Sequence, residues 1–266
     1  MMKMKRWIAA GLVALVAAFG VGCGKKDESA VLTVGASPIP HEEILKFVQP
    51  ELEKQGVELK IQAFQDYVLP NKSVEEGQID ANFFQHIPWM EATNKEKGYH
   101  LVKVAGVHIE PMGAYSNKIK DISELKNGAT VALPNATSEI TRVLLLLDQN
   151  NLIKLDNRQG DKTLKNIKEN PKNLQFKLLE AATLPRMLDQ VDFAVINTNY
   201  ALQAKLNPLK DALFIEGKDS PYVNVLAVKK GNENDPRVQK LVKVLTSQKV
   251  KDFILKKYNG SVVPAF

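Results

Sequence analysis

The sequence predicts an α/β fold of two lobes with a ligand cleft between them. From residue 31 onward, short apolar runs alternate with stretches of helical period, which is typical of βαβ units and largely parallel sheets. About ten strands and as many helices are more than one open sheet of modest width holds comfortably. Two extended segments that contain proline, 110–113 and 219–222, are the places where the chain is expected to cross between two sheets.

These crossovers divide the chain into a first lobe of residues 31–112 and 221–266 and a second lobe of residues 113–220. A chain that crosses twice forms a hinge, and small ligands commonly bind in the cleft between two such lobes.

The individual elements follow from hydrophobic periodicity. Alternating or continuous apolar runs predict strands at 32–35, 57–64, 80–84, 101–109, 130–133, 175–179, 193–197 and 223–228. Apolar residues spaced three and four apart predict helices at 42–55, 138–149, 163–169, 184–189, 198–205, 236–245 and 248–257.

Composition and charge exclude several classes of protein. The 266 residues are 44% hydrophobic and 25% charged, as in ordinary globular proteins. The net charge is +6, but residues 1–22 contribute Lys3, Lys5 and Arg6 and no acid, so the chain from Cys23 onward has 6 − 3 = +3. This mild excess includes no basic run interleaved with aromatics, and we expect no nucleic-acid partner.

The N-terminus has the three parts of an export signal, namely a basic start, an apolar stretch and a zone of small residues before Cys23. The apolar stretch, residues 7–21, has 15 residues, whereas a spanning helix needs about 20. Cys23 is the single cysteine, and its position after Val21-Gly22 resembles a bacterial lipobox. We therefore predict a signal peptide at 1–22, a lipid on Cys23 and a flexible tether at 23–30.

Catalytic signatures are absent from the sequence. It contains no nucleophile elbow, no phosphate-binding loop, no dinucleotide fingerprint and no zinc-protease motif. The four histidines show no spacing typical of metal ligands. We therefore expect no enzyme activity, no metal and no cofactor.

Two segments have the residue types of a binding site. DANFFQHIPWM, at the end of a predicted strand, presents Phe84, His86 and Trp89 toward a crevice, unless the aromatic residues belong to the core and His86 is a hydrogen-bonded histidine. In PNATSEITR, Asn135, Thr137 and Ser138 are candidate N-caps of a helix, and Arg142 lies one turn inside it. A cation there opposes the helix dipole, so Arg142 is either a receptor for a carboxylate or a solvent-facing residue.

A third segment supplies amides. Asn197 in INTNYA and Asn224 in PYVN stand at the ends of predicted strands, where an amide can donate to and accept from a zwitterion. The alternative for Asn197 is a cap of the helix that follows.

Taken together, these segments resemble the NlpA/MetQ family of substrate-binding lipoproteins, which serve methionine ABC importers. The resemblance covers nearly the whole mature chain, and the spacing of DANFFQHIPW to INTNYA is its most specific part. It implies a periplasmic-binding-protein-like (Venus flytrap) fold, a monomer anchored outside the cytoplasm by its lipid, and an importer permease and ATPase as partners. It also implies a ligand site formed by Tyr67, Phe84, His86, Tyr115, Arg142, Asn197 and Asn224.

One departure from the family pattern concerns Glu139, which stands where an Asn that touches the ligand is usual. Glu139 either points outward, which the helix dipole favours, or faces the cleft, where it receives the ammonium group of the ligand or neutralises Arg142. We expect the outward orientation. The departure leaves open another ligand in the same role, such as methionine sulfoxide, a methionine-containing dipeptide or another amino acid.

The lipid anchor can be tested by replacing Cys23. Cys23→Ser should yield a soluble or unprocessed protein, because no other residue in the chain can carry the lipid. Cell fractionation of wild type and variant measures this, and a processed variant that stays in the membrane would contradict the assignment.

Overall fold

The structure is a computed structural model that describes residues 30–217 and 219–266. The predicted signal peptide, Cys23 and the tether up to residue 29 lie outside the described residues. Within the described part, no helix is both long and apolar enough to cross a membrane.

The described residues form strands and helices in alternation. The strands are β1 (Val31–Ala36), β2 (Glu58–Ala63), β3 (Ala81–His86), β4 (Leu101–Ile109), β5 (Gly113–Tyr115), β6 (Thr130–Pro134), β7 (Lys154–Leu155), β8 (Ile167–Glu169), β9 (Gln175–Leu179), β10 (Phe193–Ile196), β11 (Ala212–Ile215), β12 (Val223–Lys229) and β13 (Val263–Pro264). The α-helices are α1 (Glu43–Lys54), α2 (Leu69–Glu75), α3 (Ile87–Lys97), α4 (Thr137–Gln149), α5 (Thr198–Gln203), α6 (Pro236–Leu245) and α7 (Gln248–Tyr258).

Two main sheets carry the fold. The first has the strand order β13-β4-β12-β3-β1-β2, and the second has the order β11-β5-β10-β6-β9. The chain passes from the first sheet to the second between β4 and β5, and it returns between β11 and β12. This topology is the expected α/β fold with two crossovers, whereas the lobe boundaries chosen from the sequence stay a prediction.

Both sheets are mixed, and the prediction of largely parallel sheets is therefore wrong in part. β12 runs antiparallel to β3 and β4, and β5 runs antiparallel to β10 and β11. A parallel neighbour in the same sheet needs a crossover connection, usually a helix. β5 and β12 instead enter directly from the other sheet, so this constraint does not apply to them.

Each sheet has its own hydrophobic core. In α1, Ile44, Val48 and Leu52 repeat at intervals of four residues and are buried beside β1, α6 and α7. In α4, Val143 and Leu147 are buried against β6 and β10. Each such aliphatic side chain contributes roughly 1.5–3 kcal/mol when fully buried.

Two differences from the predicted elements have clear physical reasons. The stretch 163–169 is helical only in its first half, a 3-10 helix at Leu164–Asn166, because its second half is β8, which pairs with β7. Helix α3 escaped prediction because Met90 is its one buried residue, so it carries no apolar stripe. It begins at Ile87, has Pro88 in its first turn and ends at Gly98, whose φ of 70° is a left-handed conformation that glycine adopts readily.

Candidate functional site

A cavity lies between the two sheets, where β3 and β10 end and the crossovers begin. The space between its lining atoms amounts to about 350 Å³, part of which is open to solvent. Its lining combines aromatic, amide and charged side chains from both lobes, namely Tyr67, Phe84, Gln85, His86, Trp89, Glu110, Glu139, Arg142, Asn197, Thr198, Asn199 and Asn224. All the site residues expected from the sequence line this cavity except Tyr115.

Strand β3 delivers Phe84 and His86 to the cavity. They are two residues apart, so they point to the same face, while Phe83 packs into the core on the other face. His86 also caps α3, because its Nδ1 accepts a hydrogen bond of 3.1 Å from the backbone N–H of Trp89. Since Nδ1 is an acceptor, the imidazole proton lies on Nε2.

Glu139 faces the cavity and accepts the hydrogen bond from that Nε2–H. Its Oε1 accepts a hydrogen bond of 2.6 Å from His86 Nε2, and its Oε2 accepts one of 2.6 Å from Asn197 Nδ2. The residue is only 1% exposed. Burial by itself raises the pKa of Glu139, but His86, Arg142 and Asn197 outweigh it, and the pKa falls to about 2.

The expected outward orientation of Glu139 is therefore wrong. An exposed acid in the first turn of a helix gains roughly 0.3–1 kcal/mol from the dipole. Each hydrogen bond to a charged group contributes about 1.5–3 kcal/mol, and Glu139 accepts two of them inside the cavity. The inward orientation prevails because it satisfies both carboxylate oxygens.

Arg142 lies one turn after Glu139 and is 3% exposed, so it is not a surface residue. Its Nε and Nη2 donate to the Glu216 carboxylate at 3.2 and 2.5 Å, and Nη2 also donates to the Glu110 carbonyl at 2.8 Å. The guanidinium lies over the Tyr222 ring, 4.3 Å from its centroid. The Glu216 charge holds the pKa of Arg142 above its usual value despite burial.

The start of α4 differs from the expectation. Its N-cap is Ala136, and Asn135, Thr137 and Ser138 make no capping hydrogen bond.

Glu216 couples Arg142 to the hinge. It lies between β11 and β12, in the second crossover, and its backbone N–H donates to the Met112 carbonyl of the first crossover at 2.8 Å. Its Oε2 accepts from the Met112 N–H at 3.3 Å. Glu216 does not stand out in the sequence, because it belongs to no motif.

Aromatic rings form the other wall of the cavity. The Tyr67 ring lies 5.9 Å from Phe84, 5.3 Å from Trp89 and 5.0 Å from Tyr200. Tyr67 also joins the lobes, because its hydroxyl donates to Asn199 Oδ1 at 2.5 Å. The wall is thus apolar where the rings meet, and the hydrogen bond from Tyr67 to Asn199 connects it to the other lobe.

Tyr115 does not reach this wall. It stands on β5, where Ala114 packs into the core beside α4, and alternation turns Tyr115 to the opposite face, against Leu184 and Leu188. It lines a separate cavity beside Ser116 and Lys210. The placement depends on which face of the sheet each residue of β5 takes, and the sequence did not reveal this.

Buried amides complete the polar part of the site. Asn197 uses its Nδ2 for Glu139, and within the described ranges its Oδ1 has no hydrogen-bond partner. Asn199 Nδ2 is likewise without a partner among those residues. Asn224 Oδ1 lies 3.2 Å from His41 Nε2. Unpaired buried amide atoms are costly, and here they point to a polar ligand.

The comparisons with known proteins decide the family. The family model of the NlpA lipoproteins matches residues 32–266. The chain belongs to the NlpA lipoprotein family. The methionine-binding lipoprotein MetQ of Bacillus subtilis is 43% identical over 94% of this chain and 93% of its own length.

Solved structures of similar proteins support the NlpA assignment. A nutrient-binding protein from Burkholderia cenocepacia, solved bound to methionine, has a TM-score of 0.85 at 44% identity and covers 88% of this chain and 100% of its own. An ABC-transporter periplasmic substrate-binding protein from Coxiella burnetii has a TM-score of 0.84 at 40% identity with the same coverage.

Below the cavity of this NlpA lipoprotein lies a buried polar cluster that the sequence did not predict. His108 Nε2 and His41 Nε2 lie 2.8 and 3.2 Å from the same oxygen of Glu110. Burial lowers the pKa of His41 to about 4 and that of His108 to about 3, and it raises the pKa of Glu110.

These three side chains offer metal-ligand atoms within 4.8 Å of one another. Their hydrogen bonds already satisfy the shared Glu110 oxygen, and Ser37 Oγ, 2.6 Å from His41 Nδ1, completes the cluster. The cluster links the strand β4 and the segment after β1 to the first crossover.

The histidine cluster predicts how stability depends on pH. His41 and His108 stay neutral in the folded state but are protonated near pH 6.5 when unfolded, so unfolding takes up protons below that pH. Glu110, whose pKa is raised, acts in the opposite direction. The free energy of unfolding should therefore fall from pH 7 to pH 5, with an uptake of between about one and two protons at pH 5.

Urea unfolding as a function of pH measures this uptake. His108→Gln should reduce it by about one proton. The control His100→Gln, which alters a surface imidazole, should leave it unchanged. A pH-independent free energy of unfolding in the wild type would show that the two histidines are charged in the folded state.

Proposed function

We propose that this chain is an extracytoplasmic solute-binding lipoprotein that captures methionine, L or D, and delivers it to an ABC importer. The observation that carries the proposal is the cavity between the two sheets, which joins an aromatic wall to a buried guanidinium, carboxylate and amide cluster. An amino acid with an apolar side chain has the complementary parts. The names of its relatives, which include a methionine-binding lipoprotein and a protein solved with methionine, support the same ligand.

The aromatic wall suits a thioether. Tyr67, Phe84 and Trp89 supply ring faces and edges around one space, and a sulfur atom near an aromatic ring gains about 0.3–1.5 kcal/mol. An unbranched side chain that fills this space is also removed from water, which adds about 0.8 kcal/mol for each buried CH₂. Both contributions favour methionine over a shorter amino acid.

The polar end of the ligand meets groups from both lobes. His86 and Asn224 come from the first sheet, whereas Arg142 and Asn197 belong to segments of the second. A ligand held by all four keeps the lobes together, because neither set alone satisfies a zwitterion. We propose binding without covalent chemistry, as the sequence supplies no catalytic motif.

Delivery follows from closure and anchoring. We propose that the permease of the importer recognises the closed lobes and that its ATPase drives uptake. The protein acts as a monomer, held at the outer face of the cell membrane by a lipid on Cys23. The inward Glu139 favours a second candidate, namely the same role for methionine sulfoxide, a methionine-containing dipeptide or another amino acid.

The proposed ligand can be tested through the aromatic wall. Phe84→Ala should weaken methionine binding by about tenfold or more and barely change alanine binding, because only the longer side chain reaches the wall. Isothermal titration calorimetry on ligand-stripped protein measures both affinities.

Phe47→Ala is the matched control, because Phe47 is 42% exposed and stacks on Phe253, away from the cavity. It should leave the methionine affinity unchanged. Wild-type protein that fails to bind methionine would refute the proposed ligand, and equal losses for both amino acids in Phe84→Ala would refute the role of the wall.

A further inference from the structure

The cavity holds more negative than positive charge. Arg142 is the guanidinium in its lining, and Glu216 already neutralises it through a two-point contact at 3.2 and 2.5 Å. Glu139 has no such partner of its own, since its two donors are the Nε2–H of His86 and the amide of Asn197. His86 Nδ1 accepts from the Trp89 N–H, so Nε2 is the ring nitrogen that donates to Glu139.

A second observation points to the same place. Asn197 donates its Nδ2 to Glu139, so its acceptor, Oδ1, lies on the same amide group beside that carboxylate. This Oδ1 is buried and has no partner among the residues that the structure describes. Glu139 and Asn197 together therefore present a negative charge and a free acceptor, which is the complement of a cation with several N–H donors.

Arg142 is less available to a ligand than the family resemblance implies. Its Nε and Nη2 are bound to Glu216 and to the Glu110 carbonyl. A ligand carboxylate must use Nη1 or displace Glu216, whose own backbone is tied to Met112. Binding of a carboxylate thus exchanges one ion pair for another, whereas binding of an ammonium group adds a pair at Glu139.

We propose that Glu139, with Asn197, is the receptor for the ammonium group of the ligand, and that this group determines specificity more strongly than the ligand carboxylate. The site then selects small molecules with a free amine, and it tolerates an amide in place of the carboxylate. The inference rests on the proposed function and defines the class of ligand that the same cavity accepts.

Three ligands of similar shape distinguish the contribution of the ammonium group to binding from that of the carboxylate. Methionine has both charged groups, methioninamide lacks the carboxylate charge, and 4-(methylthio)butanoate lacks the ammonium group. Calorimetry on ligand-stripped wild type should show a loss of about 30-fold or more for the des-amino ligand and a smaller loss for the amide, because the former leaves a buried carboxylate without its cation. A larger loss of affinity for methioninamide than for the des-amino ligand would overturn the inference, and this result needs no variant.

The variant Glu139→Gln assigns the effect to one residue. It should weaken methionine binding by about tenfold or more and leave the des-amino ligand unchanged or tighter, so that the gap between these ligands narrows. Glu180→Gln is the matched control, because it removes the same charge from an exposed residue near the cleft. In Glu180→Gln the affinity ratio of methionine to the des-amino ligand should equal that of the wild type.

The outcomes separate this inference from the proposed function. If Glu139→Gln binds methionine and the affinity ratio of methionine to the des-amino ligand stays as in the wild type, Glu139 is not the receptor for the ammonium group. The proposed function is unaffected by that result. Failure of the wild type to bind either methionine or methioninamide overturns the proposed function and the inference with it. Circular dichroism of each variant verifies folding, and the wild-type ligand series decides the matter if Glu139→Gln does not fold.

Discussion

The hydrogen bond between Glu139 and His86 is the contact on which the site depends. It joins α4 beside the second sheet to β3 of the first, at 2.6 Å and almost out of contact with water. A buried carboxylate is costly unless its oxygens are satisfied, so Glu139 holds His86 and Asn197 in fixed positions. Those two residues in turn orient the start of α3 and the end of β10.

Arg142 extends this constraint to the hinge. Through Glu216 and the Glu110 carbonyl, the guanidinium touches both crossovers, and Glu110 itself rests on the buried His41 and His108. A ligand that alters the partners of Arg142 therefore acts on both crossovers. Arg142 thus joins the cavity to both crossovers, whereas Glu139 joins it to the ends of β3 and β10 through His86 and Asn197.

The sequence predicts the helices and strands well, but it predicts the side-chain contacts between distant residues poorly. β4, β9 and α6 have the bounds expected from apolar patterns, because burial imposes a period that a sequence displays directly. DANFFQHIPW was recognisable because its residue types cluster locally. No local pattern encodes contacts between residues that are far apart in the chain. Such contacts determine the role of Glu216, the His41–His108–Glu110 cluster and the face of β5 on which Tyr115 lies. The outward orientation expected for Glu139 is wrong because the helix dipole is a weak effect beside two hydrogen bonds to residues distant in the chain.

The most direct test of this account is a crystal structure of the protein with methionine bound. The account predicts the ligand in the cavity between the lobes, with its thioether against Tyr67 and Phe84 and its ammonium group within hydrogen-bond distance of Glu139 and Asn197 Oδ1. A ligand in another cavity, or one whose ammonium group points away from Glu139, would contradict it.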